Sequence, residues 1–207
     1  MPKASERDGN ETAAALSRTA QGIVDAARRL FARYGYRRTS MNDIAREAGL
    51  AKTTLYLHYK GKDDILRAVQ AHVMSRMHER CDRAFSLDMP FCEKLLAVME
   101  ARFGPTVEDH YSQLYTEMFA IWTEVGGSLW YEDRRNFLMA LARMLADFER
   151  AGEIDLARIG LDAETVARVL IRAVHGARLD STVTTLEQFE HHLRSIVLMT
   201  ARGLERR

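Results

Sequence analysis

The sequence predicts an all-α protein of about nine helices. A three-helix N-terminal head containing a helix-turn-helix is joined by a long fourth helix to a larger helical domain. Three observations predict this. Only three prolines occur in 207 residues, at Pro2, Pro90 and Pro105. Apolar residues recur three and four apart rather than two, the helical rather than the strand period. Glycines and a Gly-Pro pair fall between the periodic runs, where chain reversals belong.

Residues 1–17 carry no periodicity and read as a flexible N-terminal arm. In the first helix Ile23, Ala26, Ala27, Leu30, Phe31 and Tyr34 line one face, and Gly35 supplies a left-handed stop. Ser40 stands three residues before Asp43, a capping-box start, and Met41, Ile44, Ala45 and Ala48 form the inner face of a second helix ended by Gly49. A third short helix follows from Lys52 to His58, so two short helices meet across a glycine turn. Lys62-Asp63-Asp64 opens a fourth helix, with acidic groups near its positive end and Ile65, Val69, Val73, Met77 and Cys81 four apart; it is expected to run to about Phe85. Further helices are expected near 90–103, 106–124, 128–151, 162–179 and 185–204, broken at Gly104-Pro105, Gly126-Gly127, Gly152 and 180–184. The domain reading is an arm at 1–17, a head at 18–64 and a body at 65–207.

Composition narrows the class. Apolar residues are 47% of the chain and charged residues 29%, typical of a folded globular protein. The formal net charge is only +1, but residues 1–62 hold twelve Lys and Arg against six Asp and Glu, while the remainder is net acidic. A basic head on an acidic body favours an anionic partner for the head alone. No apolar run reaches the length of a membrane span, and the start MPKASERDGNET lacks a secretory signal's apolar stretch, so a cytoplasmic protein without a membrane partner is expected. Cys81 and Cys92 form no CxxC pair and have no His at ligand spacing, so they read as ordinary thiols and no metal site is expected.

Reading a DNA duplex with this motif needs phosphate donors at the edges of a short helix and base-facing side chains near its start. Thr39 and Ser40, at the start of the second helix, suit a phosphate oxygen through their hydroxyls and the free N–H groups there. Lys52, Thr53 and Thr54 open the third helix and are the candidates for base edges. Tyr56, His58, Lys60 and Lys62 offer hydroxyl, imidazole and ammonium donors to the backbone. Leu55 and Tyr59, four apart, are expected to face inward.

These residues resemble the TetR family of transcriptional regulators. The run Ile23–Tyr36 is similar to that family's first helix, Met41–Leu50 to its second, and Lys52–Leu66 to its third and the start of its fourth. The resemblance spans about residues 20–69 and implies that Lys52 and Thr53 approach bases while Tyr56, His58 and Lys62 bind phosphates. Three positions depart from the family pattern. Ala51 replaces a common capping serine, Thr53 a frequent glycine, and Gly61 a common serine. The first departure removes a cap or phosphate contact.

The resemblance also implies that the body binds a small-molecule effector and forms a homodimer. Met99, Phe103, Tyr115, Met118, Phe119, Trp122, Trp130, Phe137 and Met139 supply aromatic and methionine side chains for an adaptable apolar pocket, although an aromatic stripe at helical spacing is, residue by residue, more often plain core. His110, Glu117, His175 and Arg178 are candidate polar fixing points. Apolar rows at Val166, Val169, Leu170, Ala173, Val174 and Ala177, and at Phe189, Leu193, Ile196, Val197, Thr200 and Leu204, fit the family's pairing of the last two helices with their symmetry mates. No GxSxG, HExxH, Walker A or GxGxxG motif is present, so neither an enzyme nor a bound cofactor is expected. The expected function is a ligand-responsive regulator, a repressor released from a pseudo-palindromic operator by a small, largely apolar molecule. The competing reading is a helical ligand carrier or interaction protein with a degenerate helix-turn-helix.

Overall fold

Helix α1 (Ala4–Tyr34) opens a computed structural model that describes the backbone of residues 4–104, 114–180, 182–183 and 185–206, and the side chains of 16–104, 120–121, 131–180, 182–183 and 185–206. It is followed by α2 (Met41–Glu47), α3 (Lys52–His58), α4 (Lys62–Ser86), α5 (Phe91–Phe103), α6 (Leu114–Ala151), a short 3-10 turn (Ala157–Ile159), α7 (Ala163–Leu179) and α8 (Leu186–Leu204). The all-helical expectation holds, with eight α-helices among the described residues.

Two expectations about element limits are corrected. The segment read as a flexible arm continues α1 back to Ala4. Its Ala13-Ala14-Ala15 run has the highest helix propensity available, and propensity extends a helix without any apolar face for periodicity to reveal. The break expected at Gly126-Gly127 does not occur, because α6 passes through it unbroken. A glycine inside a helix costs about 1 kcal/mol relative to alanine but imposes no steric veto as proline does. Buried residues on both sides, Ile121 before and Asp133 and Phe137 after, anchor the flanking turns.

The stops of the head are those the sequence predicts. Gly35 (φ 84°) and Gly49 (φ 68°) occupy the left-handed region that residues with a Cβ rarely adopt. Gly35 N–H donates to the Phe31 carbonyl at 3.0 Å, and Leu50 N–H to the Ala45 carbonyl at 2.9 Å, which closes α1 and α2 with satisfied carbonyls.

The chain divides into two compact units. The first comprises Met1–Val73 and Glu117–Val125, with a core of Ile23, Val24, Ala27, Phe31, Ile44, Ala45, Leu55, Ile65, Leu66, Val69 and Ile121. Because Ile65, Leu66 and Val69 are part of this core, the head extends to Val73 rather than ending at residue 64. The second unit comprises Met74–Thr116 and Gly126–Arg207, built around Leu95, Val98, Met99, Leu141, Leu145, Leu170, Val174, Leu193 and Val197. Its end is tied by a short antiparallel pairing, in which Asp155 N–H donates to the Leu204 carbonyl (2.9 Å) and Arg206 N–H to the Glu153 carbonyl (3.2 Å). Among the described residues, no helix is long and apolar enough to cross a membrane.

Candidate nucleic-acid interface

Helix α3 has seven residues, and its burial pattern fixes which side it offers outward. Leu55 is 0% exposed and Tyr59 packs against the same core, as their spacing predicts. The outward face carries Lys52, Thr53, Tyr56 and Leu57, with Thr54 and His58 half-buried at its borders. Residues four apart are neighbours on a helix, so this face has two stripes. One is Lys52–Tyr56, where the Lys52 ammonium lies 5.9 Å from the Tyr56 ring centroid. The other is Thr53–Leu57. The structure thus brings Lys52, Thr53 and Tyr56 together on one exposed surface, with Thr54 at its margin.

The helix before it has a fully capped start. Ser40 caps α2: its hydroxyl accepts from Asp43 N–H at 3.2 Å and lies 2.6 Å from the Asp43 carboxylate, which in turn accepts from Ser40 N–H at 3.0 Å. These bonds, with Arg46 beside the group, hold the Asp43 carboxyl below the usual carboxylate range. The α3 N-terminus has no such device. Its N-cap is Ala51, with φ −66° and ψ 146° and no side-chain cap bond, so the missing cap inferred from the sequence is a feature of the structure.

Two of the expected phosphate ligands have other work. Thr39 is 3% exposed, and its hydroxyl donates to the Gly35 carbonyl at 2.9 Å, so its side chain closes α1 instead of reaching outward. The Lys62 ammonium donates to the Tyr36 and Thr39 carbonyls, both at 2.8 Å, and sits 4.3 Å from the Tyr36 ring centroid. Burial pulls its pKa below the usual lysine range, opposed by neighbouring Asp63. Lys62 therefore clamps the α1–α2 turn with donors that a phosphate would otherwise receive. Tyr36 completes the clamp through its hydroxyl, which donates to Asp63. Lys60 stays exposed; its backbone N–H donates to the Asp64 carboxylate at 3.1 Å, which leaves the ammonium at the surface.

The body residues proposed for an effector pocket divide in the same way. Met99, Phe103 and Phe137 are buried in the core, with the Phe103 and Phe137 centroids 5.9 Å apart edge to face. His175 stands edge-on to Phe103 at 5.1 Å, and Arg178 donates to the Phe103 carbonyl at 3.2 Å. Burial lowers the His175 pKa to about 4, helped by Arg134, Arg102 and Arg178. Met139 is exposed, which removes it from any internal pocket. The side chains of Tyr115, Met118, Phe119, Trp122 and Trp130, and those of His110 and Glu117, lie outside the described residues.

The sequence reading missed a buried ion pair between two helices, with a half-exposed histidine of a third helix at its edge. Arg102 of α5 and Asp133 of α6 form a bidentate pair at 2.5 and 3.2 Å with both side chains 5% exposed, and His78 of α4 lies 2.6 Å from the same carboxylate. Arg102 also lies 4.9 Å over the Phe137 ring. Burial alone would raise the Asp133 pKa, but hydrogen bonds and charge from Arg102 and His78 outweigh it and lower the value. The available signal was Arg102 falling on the apolar face of α5 beside Val98, Met99 and Phe103, where an unpaired charge would be prohibitive.

An all-helical body with a basic helix-turn-helix head, whose third helix offers an exposed, donor-rich face, defines a DNA-binding regulator. Residues 23–69 match the family model described as bacterial regulatory proteins, tetR family. Among relatives, it is 28% identical over 165 residues to the fatty acid metabolism regulator protein of Bacillus subtilis, covering 79% of this chain and 80% of that one. It is 32% identical over 95 residues to the HTH-type transcriptional repressor LfrR of Mycolicibacterium smegmatis, covering 45% of this chain and 49% of that one. A Saccharomonospora viridis protein solved in complex with choline shares the fold, with a TM-score of 0.73, 21% identity and coverage of 92% of this chain and 100% of that one.

Proposed function

We propose that the protein is a homodimeric, cytoplasmic repressor that binds a pseudo-palindromic operator through α3 and is released by a small, largely apolar effector held in the body. The observation that carries the reading is the outward face of α3, with Lys52, Thr53 and Tyr56 exposed together over a fully buried Leu55. Thr54, His58 and Lys60 flank that face, and Ser40 presents the N-terminus of α2. Repression is supported by the named activity of LfrR, and an apolar effector by the named role of the B. subtilis relative in fatty acid metabolism.

The dimer reading rests on an apolar surface that the chain leaves uncovered. Most of the rows on α7 and α8 are used internally, since Val166, Leu170, Val174, Phe189, Leu193, Val197 and Leu204 are all buried. Beyond them, Ile159, Leu161, Val169 and Met199 stay exposed around a groove of about 210 Å³, with Met199 76% exposed. A second copy on this face would give a two-fold dimer carrying two copies of α3, one for each half-site of a pseudo-palindrome. Helices α4 and α6 each contribute residues to both units, and each is a covalent route for a signal between them. Release by effector requires different affinity for the two states, with coupling of about 1–3 kcal/mol typical.

The test is selection of bound fragments from genomic DNA by the purified protein. Recovery of a shared inverted repeat supports the regulator, and no enrichment at low salt overturns it in favour of a carrier or interaction protein.

A further inference from the structure

Leu57 is 85% exposed, the most open of the large apolar side chains among the described residues of the head, and it sits on the recognition helix. Solvent exposure of one leucine is ordinary on a protein surface. Its position here is not, because the same face carries Lys52, Thr53 and Tyr56, and Thr53 lies one turn before it on the same stripe. The face is thus divided lengthwise. The Lys52–Tyr56 stripe carries an ammonium and a phenol, able to donate to phosphate or base acceptors. The Thr53–Leu57 stripe carries the isobutyl group of Leu57 and, one turn before it, the methyl and hydroxyl of Thr53. Leu57 is not needed to hold the head together, since the inward side of α3 is filled by Leu55 and Tyr59.

In the DNA major groove one base feature is apolar, the C5-methyl of thymine, and apolar side chains read it by contact. Resting on the DNA-binding reading above, we propose that Leu57 is a specificity-determining residue that packs on a thymine methyl, so that each operator half-site requires thymine at the base pair facing it. The Thr53 methyl flanks the same position. A polar side chain at 57 would exchange hydrogen bonds with either strand, whereas leucine can only reward a methyl and exclude water. The discrimination is therefore between thymine and every base lacking that group, including uracil, which differs from thymine by this methyl alone.

That difference gives the test. Full-length protein is bound to the selected inverted repeat and to copies in which each thymine of a half-site is replaced in turn by deoxyuridine, and affinity is read by fluorescence anisotropy. At one thymine per half-site the wild type should lose about fourfold in affinity, the factor that burial of one methyl group supplies. In Leu57→Ala that uracil penalty should vanish while the thermal melting temperature stays unchanged, as an exposed side chain predicts. Indifference of the wild type to uracil at every position overturns the proposal. So does a penalty that survives in Leu57→Ala but disappears in Thr53→Ser, which would assign the methyl to Thr53. Failure to select any repeat overturns both this inference and the DNA-binding reading, whereas tight binding without methyl dependence overturns this inference alone.

Discussion

Replacing Lys62 by methionine separates a clamp from a phosphate ligand, because the two roles predict opposite readouts. Methionine keeps most of the aliphatic stem and removes the ammonium. The loss comprises two charge-assisted bonds of 2.8 Å to the Tyr36 and Thr39 carbonyls and the contact with the Tyr36 ring. Bonds to charged groups contribute about 1.5–3 kcal/mol each, and the contact with the ring about 0.5–1 kcal/mol at an exposed site. The site is half-buried, so water can reach the freed carbonyls and recover part of this; a net loss of about 2 kcal/mol is expected. For a chain of this size that corresponds to a fall of roughly 4–8 °C in Tm, read by circular dichroism. In operator binding measured well below Tm, the slope of log affinity against log salt should not change, because no phosphate contact is removed. Lys60→Ala in the same assay should leave Tm unaltered and reduce the magnitude of that slope by about 1. An unchanged Tm together with a slope reduced by about 1 in Lys62→Met would refute the clamp and restore Lys62 to the phosphate ligands.

Three further outcomes are expected. Ala51→Ser should raise the stability of the head by about 1 kcal/mol, since Ala51 already has the extended backbone of a cap and Ser40 shows the bond that a serine makes; chemical denaturation checks this, and a lowered midpoint would show that the backbone at 51 cannot place the hydroxyl. Asp133→Asn should destabilise the body by about 3–5 kcal/mol by leaving the Arg102 guanidinium buried beside a neutral amide, while Asp133→Leu combined with Arg102→Met should recover most of that loss in urea melts. His175 titrates near 4 in the folded chain against an ordinary value near 6.5, so the unfolded state takes up the proton first as pH falls. Stability should therefore drop between about pH 6.5 and 4, by at most about 3 kcal/mol from this group. His175→Phe should flatten that part of the pH–stability curve, and an identical curve would mean that the imidazole is not desolvated.

What the residue order alone determined is what depends on near neighbours. The capping box of Ser40 and Asp43, the left-handed stops at Gly35 and Gly49, the uncapped start at Ala51 and the inward pair Leu55 and Tyr59 are all set within one or two turns. A period of 3.6 and a short list of capping side chains suffice to read them. The same locality explains both misreadings of element limits. The alanine-rich start of α1 has propensity without an apolar face, and the glycine pair in α6 lowers propensity without forbidding the helix.

Tertiary structure decided which polar groups were already spoken for. Thr39 and Lys62 have the chemistry of phosphate ligands, yet the fold places the carbonyls of Gly35, Tyr36 and Thr39 within reach, and those carbonyls take their donors. Arg102, Asp133 and His78 come from three helices, and no spacing along the chain relates them. Only packing shows that Arg102 and Asp133 are buried together as counter-charges, with the half-exposed His78 at their edge. The openness of Leu57 likewise follows from which side of α3 the core claims, which residue type alone does not reveal.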